Sequence, residues 1–154
     1  NSGYITKKDK IVDYGCGKGR VSFYLSYSTK AKTIGVEYDL RLYNSALENH
    51  KKCISSNRVL FINCNAGDFE VSTDVTGAYF FNPFNVLVLN DVIEKIKASK
   101  KIVDREIKLF FYYPSKEYLE FLNNNEDILF VENISCHDLF KEYDEREYIA
   151  VYRI

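Results

Sequence analysis

The sequence predicts an α/β fold: a three-layer sandwich on a mostly parallel seven-stranded sheet, with an antiparallel C-terminal strand. Three observations carry this. Short β-branched apolar runs alternate with amphipathic ones along most of the chain. A glycine-rich turn follows the first apolar run, in "KIVDYGCGKGR" (Lys10–Arg20). The last two apolar runs follow one another without a helical pattern between them.

"KIVDYG" (Lys10–Gly15) and "KTIGVEY" (Lys32–Tyr38) read as strands, with "RVSFYLSYS" (Arg20–Ser28) as a helix opening at the glycines. "RLYNSALENHKKCISS" (Arg41–Ser56) places Leu42, Ala46, Leu47 and Cys53 or Ile54 near one helical face. "RVLFINCN" (Arg58–Asn65) and "GAYFFNPF" (Gly77–Phe84) are the third and fourth strands. A helix over Val86–Ser99 follows, then a fifth strand, Arg105–Tyr113, that stops at Pro114. Ser115 caps a short helix running to Asn125. Asp127–Ser135 and Arg146–Ile154 form a hairpin around a long loop that contains the acidic stretch Lys141–Glu147. Helix-separated strands demand parallel pairing, with helices on both faces of the sheet.

At 154 residues the chain suits a single domain, 1–154, with a full core. A formal net charge of −1 argues against a general polyanion binder. No apolar run approaches the ~20 residues of a membrane span, and no secretory signal pattern opens the chain. The chain starts at Asn1 and contains no methionine, which reads as a domain lacking an N-terminal segment. Cys16, Cys53, Cys64 and Cys136 form no Cys-x-x-Cys pair and, with only His50 and His137 beside them, predict no metal site. Scattered single cysteines fit a cytoplasmic protein.

In an open parallel sheet the ligand crevice lies at the carboxyl ends of the strands, near the switch in strand order. Gly15, Gly17 and Gly19 fall there, where a backbone without Cβ admits close approach. Three readings compete: a dinucleotide site, a site for another adenosine-containing cofactor, and a tight turn that binds nothing. Glu37 ends the second strand 22 positions after Gly15, where a carboxylate accepts two ribose hydroxyls or is simply solvated. The dinucleotide fingerprint is G-x-G-x-x-G, whereas this run is G-C-G-K-G with Arg20 at the third fingerprint position. Asp13 stands two residues before the first glycine, which suits a cofactor carrying cationic groups better than a pyrophosphate.

On these residues the chain resembles the class I S-adenosylmethionine-dependent methyltransferases. "VDYGCGKGR" is similar to their first motif, "GVEYD" (Gly35–Asp39) to the acidic end of their second strand, and "NCNAGDF" (Asn63–Phe69) to the turn flanking adenine. The final hairpin resembles their reversed seventh strand. The resemblance implies a Rossmann-like fold, S-adenosylmethionine as cofactor and a methyl acceptor that is a nucleic acid, a protein or a small molecule. It also implies that Gly15, Cys16 and Gly17 pass close to the methionine part, with Gly19 in the same cofactor-binding loop. Asp13 would hold the loop and the cofactor's amino group, Glu37 the ribose, and Tyr38, Asn65 and Ala66 the adenine. Asn65 or Asp68 would fill a place where the family often has aspartate.

"FFNPF" (Phe80–Phe84) lies where the family has its fourth motif. In amino-group methyltransferases an acidic or amide residue there accepts a hydrogen bond from the amine, and an aromatic stacks on the target. Asn82, Pro83 and Phe84 are the catalytic candidates on that resemblance, with one proline where two are common. The competing reading is a proline turn in which Asn82 caps the helix from Val86. The expected function is methyl transfer to an unidentified acceptor, possible targets being an amino group on a nucleobase or a side chain. A catalytically silent cofactor-binding or partner-binding module, or less readily a nicotinamide-dependent oxidoreductase, is the alternative.

Overall fold

The computed structural model describes residues 3–137 and 144–154. Seven strands form one sheet: β1 (Lys10–Tyr14), β2 (Lys32–Glu37), β3 (Val59–Asn63), β4 (Gly77–Phe80), β5 (Lys108–Tyr112), β6 (Leu129–Ser135) and β7 (Tyr148–Arg153). Their spatial order is β3-β2-β1-β4-β5-β7-β6. β1 to β5 pair in parallel, and β7 runs antiparallel between β5 and β6. The expected sheet is therefore the observed one. β1 is the switch point: the chain leaves it first toward β2 and β3, then returns to β4 on its other side.

The helices are α1 (Arg20–Thr29), α2 (Leu40–His50), α3 (Val86–Ile102) and α4 (Lys116–Asn123). Side chains start three of them. Asp39 accepts from the Arg41 and Leu42 amides, Asn85 from Val88 and Ser115 from Tyr118. The larger core packs Val12, Tyr14, Val36 and Phe80 with Leu89, Val92 and Ile93 of α3 and with Tyr118 and Leu122 of α4. On the opposite face Val59 and Phe61 meet Phe23 of α1 and Ala46 and Leu47 of α2. Both faces are thus covered, as a parallel sheet requires.

Several boundaries differ from the sequence expectation, and three of them have a visible cause. Helix α2 ends at His50 because its ring Nε2 sits 2.9 Å from the carbonyls of both Ser56 and Val59, drawing the chain into a turn that leaves Ile54 exposed at 88%. Strand β4 stops at Phe80. Asn82 takes a left-handed φ of 40° and Pro83 has no amide hydrogen, so neither continues the ladder. Strand β5 begins at Lys108 rather than Arg105, whose guanidinium instead binds the carbonyls of Val75, Ser99 and Val103. Residues 141–143 of the acidic stretch lie outside the described residues.

One glycine of β2 supports the loop above it. A Cβ on Gly35 would lie 2.6 Å from the Phe61 ring and 2.7 Å from Cys16 Sγ, so the bare position makes room for the thiol of the glycine loop. Gly35→Ala should destabilise the protein by roughly 1–3 kcal/mol, as overpacking does in a closed core. Urea denaturation monitored by circular dichroism measures it.

Candidate active site

The glycine loop joins β1 to α1 and is tied to β2. The amides of Gly15 and Cys16 both donate to the Val36 carbonyl, at 2.9 and 3.1 Å. Gly15, Gly17 and Gly19 all have positive φ, at 69°, 56° and 83°, which glycine adopts without penalty. Their surroundings differ. A Cβ on Gly17 would meet no atom within 4 Å, one on Gly15 would strike Pro83 Cβ at 2.3 Å, and one on Gly19 would strike Phe61 and Phe23. Gly17 is therefore open to a ligand, Gly15 is the seat of Pro83, and Gly19 is a packing position at the start of α1.

Asp13 is buried and accepts from the Ser22 amide at 3.0 Å and the Ser22 hydroxyl at 2.6 Å. It fastens the first turn of α1 to the end of β1, the loop-holding part of its expected role. Burial pushes its carboxyl up to about 6, with the Ser22 bonds opposing and the nearby Glu37 carboxylate adding to the rise. The Cys16 thiol is also raised, by burial first and then by Asp13 and Glu37, so it stays a neutral packing group.

Glu37 is only 8% exposed and its two oxygens are both engaged. Oε2 accepts from the Gly17 amide and Oε1 from the Asp39 amide, each at 2.8 Å. Each oxygen retains a second acceptor site. Asn63, its register partner on β3, donates from its side chain to the carbonyls of Glu37 and Tyr38 at 2.8 and 3.0 Å, holding the strand end in place. Sequence reasoning passed over this role for Asn63. The available signal was its position at the end of β3, level with the end of β2.

A cavity of about 230 Å³ opens between these elements, lined by Gly15, Val36, Glu37, Tyr38, Cys64, Asn65, Ala66, Pro83, Phe84 and Val88. It brings together seven of the predicted site residues: Gly15, Glu37, Tyr38, Asn65, Ala66, Pro83 and Phe84. Asp13, Cys16, Gly17, Gly19 and Asn82 are not part of its lining. Val36, Cys64 and Val88 are, and only their adjacency to predicted residues or to the fourth motif pointed to them. Asn65 lines the cavity and accepts from the Gly67 amide at 3.1 Å, whereas Asp68 does not line it. Tyr38 is 76% exposed, presenting its ring at the rim.

Asn82 has a different setting. Its side-chain amide donates to the Tyr113 carbonyl at 2.6 Å and its oxygen accepts from the Ser115 amide at 3.1 Å. It bridges the end of β4 to the turn after β5, where Tyr113 also has a positive φ, of 51°. The helix-capping role falls to Asn85 instead.

The residues present fit an adenosine-containing cofactor. The cavity is smaller than the roughly 300–1,000 Å³ typical of small-molecule pockets, which suits a nucleoside, and the open backbone of Gly17 adjoins it for the remainder. The Glu37 carboxylate lines the cavity at the strand end with acceptor capacity to spare, as hydroxyl recognition requires. No group of three or more His, Cys, Asp or Glu residues could hold a metal ion among the described residues.

A parallel sheet with a glycine loop and an acidic strand end at its switch point defines a nucleoside-cofactor protein of the Rossmann-like class. The chain belongs to the methyltransferase-domain family, which matches residues 5–145. It is a methyltransferase whose cofactor is S-adenosylmethionine. No curated protein matches it. Among solved structures it is similar to the MccD protein, at 15% identity and a TM-score of 0.69 over 98% of this chain and 92% of that one. An RNA methyltransferase from Salinibacter ruber, in complex with S-adenosyl-L-homocysteine, is 17% identical with a TM-score of 0.57 over 97% and 81%. A geranyl diphosphate C-methyltransferase from Streptomyces coelicolor A3(2) is 14% identical with a TM-score of 0.64 over 98% and 71%.

Two predictions follow from this geometry. Glu37→Ala should weaken S-adenosylmethionine binding by about 1–3 kcal/mol, read by calorimetry, the loss expected of a carboxylate that accepts from ribose hydroxyls. The second concerns pH. The folded state holds the Asp13 proton more tightly than its ordinary value of 3.8, up to about 6, so raising the pH through that window lowers stability. Asp13→Asn keeps an acceptor for Ser22 and removes the titration. The stability of the parent relative to this variant should fall by roughly 2–3 kcal/mol from about pH 4 to 6, measured by urea unfolding at each pH.

Proposed function

We propose that this protein, as a single catalytic domain, methylates an amino nitrogen, on a nucleobase or a protein side chain, held at the Phe81–Phe84 turn. The observation that carries the reading is the clamping of Asn82 beside the cofactor cavity. Its amide is oriented by the Tyr113 carbonyl and the Ser115 amide, and it is exposed to solvent. Its oxygen keeps one acceptor site for an incoming N–H. Its neighbours Pro83 and Phe84 line the cavity, so a group bonded to Asn82 would lie near a cofactor held there.

S-adenosylmethionine supplies a methyl group on a sulfonium, a good leaving group that needs no metal. The chain's part is to hold and orient the acceptor and to exclude water. Asn82 Oδ1 would fix one N–H so that the nitrogen lone pair points into the cavity. Phe84 would provide an aromatic wall for a planar acceptor, and Phe81, exposed and 4.9 Å from the Tyr112 ring, would extend it outward. The four cysteines are free thiols, in keeping with a cytoplasmic setting, and no helix among the described residues is long and apolar enough to cross a membrane.

A silent cofactor-binding module is the second reading. It is favoured by the backbone partners that already occupy both ends of the Asn82 amide, giving that side chain a structural task. Tritium transfer from labelled S-adenosylmethionine to bulk RNA, unfolded protein and small amines separates the two. Label in one pool names the acceptor class; cofactor binding with label in none supports the silent module. With an acceptor in hand, Asn82→Ala should lower the single-turnover rate by about 10²-fold or more while S-adenosylmethionine affinity stays within about twofold. Unchanged turnover would remove Asn82 from catalysis.

A further inference from the structure

A second pocket, open and of about 550 Å³, lies at the far end of the glycine loop, lined by Lys18, Arg20, Phe23, Asn49, Lys52 and Cys53. It shares no lining residue with the cavity at Gly15 and Glu37. Asn49, at the end of α2, donates from its side chain to the Lys18 carbonyl at 3.1 Å and so fixes the loop to that helix. Phe23 is held in turn, edge-on to Phe61 with ring centroids 5.3 Å apart. Packed elements therefore frame this pocket.

Three of its lining residues are cations and none is acidic. Among the described residues, the side chains of Lys18, Arg20 and Lys52 have no ion pair or hydrogen bond. Carboxylates are not scarce: the chain has 22 acidic residues, and Lys51, beside Lys52, pairs with Glu48 at 2.6 Å. Arg20 also opens α1, whose first turn has no acidic residue and whose start has no side-chain cap. The positive end of a helix is an unfavourable place for a cation. Like charges around one hollow repel one another as well. Local conflicts of this kind are expected where function requires them.

We propose that this pocket binds a phosphate group carried by a second ligand. An anion there offsets the three cations and the helix end together. The charge count favours phosphate over a lone carboxylate: a phosphate monoester carries about −1.5 to −2 at neutral pH, and successive phosphodiesters bring one charge each. Arg20 offers a planar fork of donors that matches phosphate oxygens, and the lysines act as point charges. The overall charge of −1 is compatible with this, because the cations are concentrated locally. S-adenosylmethionine carries no phosphate, so the ligand is distinct from the cofactor.

The test compares the parent with the combined variant Lys18→Gln, Arg20→Gln, Lys52→Gln. Calorimetry follows binding of glycerol phosphate and of a short oligouridylate, with polyglutamate as the carboxylate control, and melting temperatures are taken without ligand. The variant should melt at or above the parent temperature, since it loses repulsion, yet bind the phosphate probes at least tenfold more weakly. For oligouridylate, the slope of log affinity against log salt should also fall by about two, at roughly 0.7 per lost contact to a single strand. Tighter binding of oligouridylate than of glycerol phosphate identifies a nucleic-acid backbone as the source; equal affinity identifies a small phosphorylated molecule. A parent that binds neither probe, a variant that binds them as well as the parent, or polyglutamate bound as tightly as the phosphates would overturn the proposal. So would a variant that melts well below the parent, because the cations would then serve the fold.

Discussion

The buried carboxylate of Asp13 has to be satisfied inside the sheet, and Ser22 does this with its amide and its hydroxyl. A polar group so deeply buried is tolerated only with such partners. Because Ser22 belongs to the first turn of α1, the pair sets how the chain leaves β1 and enters the helix. The eight intervening residues must close that short arc. They do so through three glycines with positive φ and two amides bound to the Val36 carbonyl. The position of the glycine backbone beside the cavity follows from that closure.

Glu37 transmits the same constraint to the second strand. Its carboxylate is shared between Gly17 in the loop and Asp39 at the start of α2, so one side chain links β2, the glycine loop and the next helix. Asn63 anchors the same strand end from β3. The acceptor capacity expected to serve ribose thus also organises the ligand-free site. A group already held by two amides presents its remaining lone pairs in a defined direction, which limits the ordering needed on binding.

The fourth motif meets the first through an unusual closeness. Pro83 rests on Gly15 with no space for even a methyl group between them, which couples the Phe81–Phe84 turn to the glycine loop. Asn82 and Tyr113, the two strand-end residues with left-handed backbones, are joined by the Asn82 amide. Such conformations are maintained when surrounding contacts over-determine them and are concentrated at functional sites. Here they place the aromatic and amide groups of the turn beside the cavity without any long loop.

Local chemistry made much of this legible in the sequence. The alternation of β-branched and amphipathic runs determined the strands and helices, because periodicity reports which face is buried. The missing crossover before the last run determined the antiparallel β7. The glycine run, Asp13 and Glu37 pointed to the carboxyl end of β1 and β2 as the candidate cofactor site, since close backbone approach calls for glycine and ribose recognition for a carboxylate. Tertiary structure decided what depends on neighbours distant in sequence. Gly19 is bare because Phe23 and Phe61 fill the space, and α2 ends where His50 reaches two carbonyls beyond it. Asn65 rather than Asp68 lines the cavity, and Asn82 is committed to Tyr113 and Ser115, some thirty residues away. The lone hydroxyl of Tyr14 reads in sequence as one more core aromatic; only the packing of Phe69, Phe80 and Phe84 around it shows a polar atom without a partner.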